Sequence, residues 1–195
     1  MELKLNLSFP IQKPFGIIMS LRMVLSICSA LGLIFTYSYR FRIEILLILN
    51  VALTVWSIIS FLAFILNLQK NLASEPGKYF YIPFAIIEFY IGIFGSIFYG
   101  LTAITCIYMT LNTPYYGFSM IILNMITFFV SLGVTCFYAL YCLIILAQTQ
   151  NIKEFSIKEM VIEGDKITYM YSSANEDIEP FSIAFKGRKE TIYYF

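Results

Sequence analysis

The sequence predicts an all-α membrane protein: a four-transmembrane-helix up-down bundle followed by a short cytoplasmic tail that contains β-hairpin patterning. Composition, four long apolar runs and short connections predict it. Of the 195 residues, 59% are apolar and 13% charged, whereas a soluble globular domain is nearer about 45–50% and about 25%. That excess of apolar side chains needs lipid as its solvent, which excludes a disordered chain, a coiled coil and an ordinary soluble enzyme.

Residues 1–14 form a polar-apolar N-terminal segment, read as cytoplasmic. The first run, Phe15 to Tyr37, is interrupted only by Arg22. The second, Ile43 to Leu68, has no ionised residue after Glu44; the third, Tyr81 to Met109, contains Glu88; the fourth, Phe118 to Gln148, has no charge. Each meets the requirement of about 20 residues for crossing a bilayer. The third and fourth exceed it, so tilt or protrusion is expected. The connections between them are short, with Pro76-Gly77 and Pro114 as breakers. Short loops make sequential helices antiparallel neighbours, which assigns residues 15–150 to one bundle.

Basic residues set the orientation. Lys4 and Lys13, Lys70 and Lys78, and six basic residues of the tail fall on one side, against Arg40 and Arg42 on the other. Both termini are therefore expected to be cytoplasmic, and the sequon Asn6-Leu7-Ser8 reads as an accidental match. The first run is too long for a cleavable signal and continues into a span. Aromatic groups at Tyr37, Tyr39 and Phe41, at Tyr79, Phe80 and Tyr81, and at Tyr115 and Tyr116 flank the spans as interfacial belts.

Past Gln150 the pattern changes. Residues 157–163 alternate, Gly164-Asp165 suits a two-residue turn, and Lys166 to Tyr171 alternate again. Phe181 to Phe185 and Thr191 to Phe195 suggest a second hairpin. The tail, residues 151–195, is marginal as an independent fold and is expected to pack on the helix ends, another copy or a partner. The final Tyr193-Tyr194-Phe195 is read as a strand end in preference to a sheet-adding recognition peptide.

The chemistry available is narrow. Net charge is +1 and histidine is absent, which argues against nucleic-acid binding and removes imidazole as base or ligand. Cys28, Cys106, Cys136 and Cys142 form no CxxC pair and lie within apolar stretches, so they read as small packing residues. No phosphate loop, nucleophile elbow or metal-ligand spacing occurs. No catalytic, cofactor-binding or metal set is assigned, and the chain is expected not to be an enzyme.

Two ionisable residues stand inside the spans, where an unpaired charge costs from about 3 to more than 10 kcal/mol. Arg22 lies seven residues past Phe15, and Glu88 seven past Tyr81. With both helices running outward, the two share a depth of about 10 Å below the boundary. Arg22, Ser26 and Ala30 recur at intervals of four. So do Glu88, Gly92, Ser96 and Gly100, a small-residue seam that admits a close neighbour. An Arg22–Glu88 ion pair across a contact of the first and third helices is expected. It reads as a packing pair fixing register; a proton or ion site is the other reading, and headgroup snorkelling by Arg22 is the outcome if the two do not pair. Asn50 and Asn124 lie seven and six residues into descending helices and are read as a second depth-matched packing pair, able to hydrogen-bond across the bundle.

Phe15-Gly16-Ile17-Ile18-Met19-Ser20-Leu21-Arg22-Met23-Val24-Leu25-Ser26, together with Phe137-Tyr138-Ala139-Leu140-Tyr141 in the fourth run, resembles MARVEL-like tetraspan proteins over residues 10–150. The first loop lacks a claudin-like Trp and cysteine pair, tetraspanin-type cysteine loops are absent, and the tail has no counterpart. The resemblance implies membrane apposition, vesicle trafficking or cell-junction organisation, with no catalytic residues. The expected partners are the lipid bilayer and a homo- or hetero-oligomer formed through the third helix or the tail. A small oligomeric channel or transporter using the Arg22–Glu88 pair is the alternative.

Overall fold

The computed structural model describes residues 5–37, 43–68, 82–112, 117–150, 160–162, 164–165 and 167–169. Within them the chain folds as four long helices: α1 (Phe15–Tyr37), α2 (Glu44–Ile65), α3 (Phe84–Asn112) and α4 (Phe118–Gln150). All four are long and apolar enough to cross a membrane, and the protein is an integral multi-pass membrane protein. Their lengths are unequal. The 33 residues of α4 span about 50 Å at 1.5 Å per residue, against a hydrocarbon core of about 30 Å.

α1 packs against α2 and α4, α3 packs mainly against α4, and the α2–α3 side is the narrowest. α1 and α3 therefore face each other across the diagonal. The ion pair expected at a direct contact of these two helices spans that diagonal instead, and the close neighbour of α3 is α4.

Buried positions recur at alternating intervals of three and four. On α3 they include Glu88, Gly92, Gly95, Tyr99, Thr102, Cys106 and Met109. This mean period of about 3.5 is that of a left-handed supercoil, and it corrects the predicted seam. A helix turns about 100° per residue, so Gly100, twelve residues beyond Glu88, lies about 120° round the helix from it, while Gly95, seven beyond, lies within about 20°. Ser96 and Gly100 are accordingly only half-buried. Gly100 has its nearest neighbour, Thr135, at 4.0 Å from a Cβ built on it.

Three apolar clusters stack along the bundle. The one at the α1 N-terminal end contains Phe9, Phe15, Phe64, Phe84, Tyr141 and Ile145, joined by Met160 and Ile162. Tyr99, Val134 and Tyr138 fill the middle, and Leu33, Ile43, Cys106 and Met109 the far end. A 3-10 turn over Phe9–Ile11 precedes α1. Two three-residue strands, β1 (Met160–Ile162) and β2 (Ile167–Tyr169), pair antiparallel with Ile162 opposite Ile167. The second predicted hairpin, the closing Tyr193-Tyr194-Phe195, and the interfacial aromatics at 39, 41, 79–81, 115 and 116 lie outside the described residues.

Candidate functional site: a buried charged core between four helices

Lipid solvates the outer surface of such a bundle, so apolar residues face out and polar ones are sequestered within. Exposed side chains include Ile93, Phe94, Ile97 and Ile104 on α3 and Ile122, Ile126 and Phe129 on α4. The interior holds Arg22, Ser26, Ser29 and Thr36 of α1, Asn50, Thr54, Ser57 and Ser60 of α2, Glu88 and Thr102 of α3, and Asn124, Thr127 and Ser131 of α4.

Arg22 and Glu88 are both fully buried. Nη1 of Arg22 donates to Oε2 of Glu88 at 2.7 Å. The other carboxylate oxygen, Oε1, accepts from the indole N–H of Trp56 at 2.8 Å. The guanidinium lies against two aromatic faces, with its Cζ 4.7 Å from the ring centre of Tyr138 and 5.5 Å from that of Tyr141. Cation–π attraction in a desolvated site is worth about 2 kcal/mol. All four helices thus contribute to one ion pair: α1 the cation, α3 the anion, α2 a second donor, and α4 the aromatic wall.

That wall is itself fixed. The hydroxyls of Tyr138 and Ser57 share a hydrogen bond of 2.8 Å, and the Tyr138 ring stacks on Tyr99 with centroids 5.7 Å apart. Tyr99 in turn shares a 3.2 Å bond with Thr54, whose hydroxyl also approaches the backbone carbonyl of Ser26 at 3.2 Å. Gly95 makes room for the wall, since a Cβ there would stand 2.9 Å from the Tyr138 ring. Gly92 does the same for the side chain of Cys142. Ala30, predicted to share the Arg22 face, is buried.

The two asparagines do not bond to each other. Asn50 donates to Ser29 at 3.2 Å, and Ser29 and Ser131 share a 2.8 Å bond. Asn124 accepts from Thr36 at 3.1 Å. Ser29 and Thr36 are seven residues apart on α1, which separates the two bonds by about 10 Å. The depth match had assumed that α2 and α4 begin level, whereas α4 begins about two turns farther from the α1 N-terminal end.

Trp56, Tyr138, Tyr141 and Gly95 were not assigned to the site from sequence. Trp56 carried a legible signal. Tryptophan is enriched at membrane interfaces, and this single tryptophan stands near the middle of a 22-residue span, where its N–H needs an acceptor. Among the described residues, no group of three or more Cys, Asp or Glu could hold a metal ion. No protein-family model, curated protein or solved structure matches this chain.

Proposed function

We propose that this chain is a non-enzymatic tetraspan protein of the MARVEL-like kind, with both termini cytoplasmic, that organises membrane or protein assemblies of the trafficking, apposition or junction type. One observation carries the reading: Arg22, Glu88 and a set of Ser, Thr and Asn side chains are gathered inside the bundle, with Arg22–Glu88, Trp56–Glu88 and Ser57–Tyr138 bonds joining helices, while large apolar side chains make up most of the outward faces of α3 and α4. Both oxygens of Glu88 are occupied, so the pair acts as a register lock that holds four helices in one arrangement. A fixed bundle with apolar flanks presents a constant surface to lipid and to partner helices. The test is cross-linking and pull-down of the tagged full chain from mild detergent. Recovery of a defined self-assembly or of a reproducible membrane partner is expected; finding neither removes the support.

A second reading, a small oligomeric channel or transporter using the same pair, draws on the string of buried polar side chains from Thr36 and Asn124 to Arg22 and Glu88. It also draws on donors there without an acceptor among the described residues, Nε and Nη2 of Arg22 and the hydroxyl of Tyr141. It predicts that Glu88→Gln abolishes flux across reconstituted vesicles while the helices remain folded. Unaltered flux excludes it.

A further inference from the structure

The α1 N-terminal end of the bundle is closed by chain that belongs to none of the four helices. A helix leaves its first N–H and last C=O groups without partners of its own. Here the backbone N–H groups of Phe15 and Gly16 donate to the carbonyl of Gly164 at 3.0 and 3.4 Å, and the N–H of Asn6 donates to the carbonyl of Ile65 at 2.8 Å. The start of α1 and the end of α2 are thus satisfied from outside. Phe9 is fully buried and stacks on Phe64, with centroids 5.2 Å apart; Met160 and Ile162 bury themselves in the same cluster. Gly164 has φ +91°, open to glycine and strained for other residues. A side chain there would also run into Gln12, and one at Gly16 into the carbonyl of Phe9.

Beneath this cover, the first residue of α1 leads on to the charged core. Phe15 meets Tyr141 edge-on at 5.9 Å, and Tyr141 is one of the two rings facing Arg22. The cover is also weakly self-supporting. A pair of three-residue strands is marginal by itself, so the burial of Met160 and Ile162 depends on docking. Units with few internal bonds open at lower free energy than the core they rest on. The far end differs, since Leu33, Cys106 and Met109 of α1 and α3 are packed there with Ile43, which immediately precedes α2.

We propose that the Leu5–Pro14 segment and the Gly164 turn form a detachable cap whose release admits water to Tyr141 and the Arg22–Glu88 pair from the α1 N-terminal end alone. The chain supplies its own reporters: Cys142 follows Tyr141 and packs on Gly92, and Cys106 sits in the far cluster. The experiment compares two full-length chains in mild detergent, one keeping Cys142 alone and one keeping Cys106 alone, labelled with a small charged methanethiosulfonate. Gly164→Val, and the milder Ile162→Ser, are expected to speed labelling of Cys142 by about tenfold or more, with Cys106 unchanged. No acceleration at Cys142, or equal acceleration at both cysteines in both variants, overturns the proposal. Hydrogen exchange on the unsubstituted chain gives an independent reading. The Phe15 and Gly16 amides should exchange faster than that of Leu25 in the middle of α1, and equal protection overturns the cap.

Discussion

Removing Glu88 alone should harm the bundle more than removing it together with Arg22. Glu88→Ala leaves Arg22, fully buried with its Nη1 bond gone, as an unpaired charge, and breaking a buried pair in this way costs about 3–5 kcal/mol. It also takes the acceptor from Trp56 Nε1, a further cost of about 1–3 kcal/mol for a desolvated donor. The single variant should thus lose roughly 4–8 kcal/mol. Adding Arg22→Leu removes the stranded cation and fills the space with an apolar side chain. What remains is the indole term and the lost cation–π attraction, together about 3–5 kcal/mol. The second substitution therefore restores about 1–3 kcal/mol, a factor of roughly 5–150 in the folding equilibrium. Equilibrium unfolding in mixed micelles measures this, with Trp56 fluorescence and far-ultraviolet circular dichroism as paired probes. Equal loss in the single and double variants refutes the reasoning, because it means that the Arg22 charge never depended on Glu88.

The same unfolding assay tests the remaining geometry. Gly95→Ala sets a methyl 2.9 Å from the Tyr138 ring and should cost about 1–3 kcal/mol. Gly100→Ala meets nothing nearer than 4.0 Å and should be neutral or stabilising by up to about 1 kcal/mol through helix propensity; the reverse order would mean that the buried face of α3 is misassigned. Trp56→Phe should cost about 1–3 kcal/mol in the unsubstituted chain, measured by circular dichroism, and much less once Glu88 is alanine. Asn50→Ala and Asn124→Ala should each cost on the order of 1 kcal/mol or less. Their effects should add within about 0.5 kcal/mol, as expected of residues in separate bonds; strong coupling would restore a direct contact between them.

Much of this site is legible in the sequence. Arg22 and Glu88 declared themselves because a charge inside a run of about 20 apolar residues must find a partner or leave the lipid. Their matched depth followed from counting along each helix. Counting failed where it relied on a common origin, as for Asn50 and Asn124, which bond to Ser29 and Thr36 two turns apart on α1. It failed again where a fixed step of four drifted off the buried face, missing Gly95 and selecting Ser96 and Gly100. The aromatic wall was hidden for a different reason. Tyr138 and Tyr141 sit in a span rich in aromatic side chains, and nothing in a linear pattern distinguishes the rings that face Arg22 from those that face lipid.

The sequence by itself determined that the chain needs a bilayer, that four of its segments are long and apolar enough to cross one, and that two opposite charges must be dealt with inside. Those conclusions depend only on transfer free energies summed along each run. Which helix lies opposite which, and at what relative height, was decided only when all four packed together. The Trp56 bond to Glu88, the fit of Gly95 to Tyr138 and the capping of α1 by Gly164 all require surfaces from segments far apart in the chain. Each segment's spacing fixes angles and depths within itself, and only mutual packing brings them into one frame.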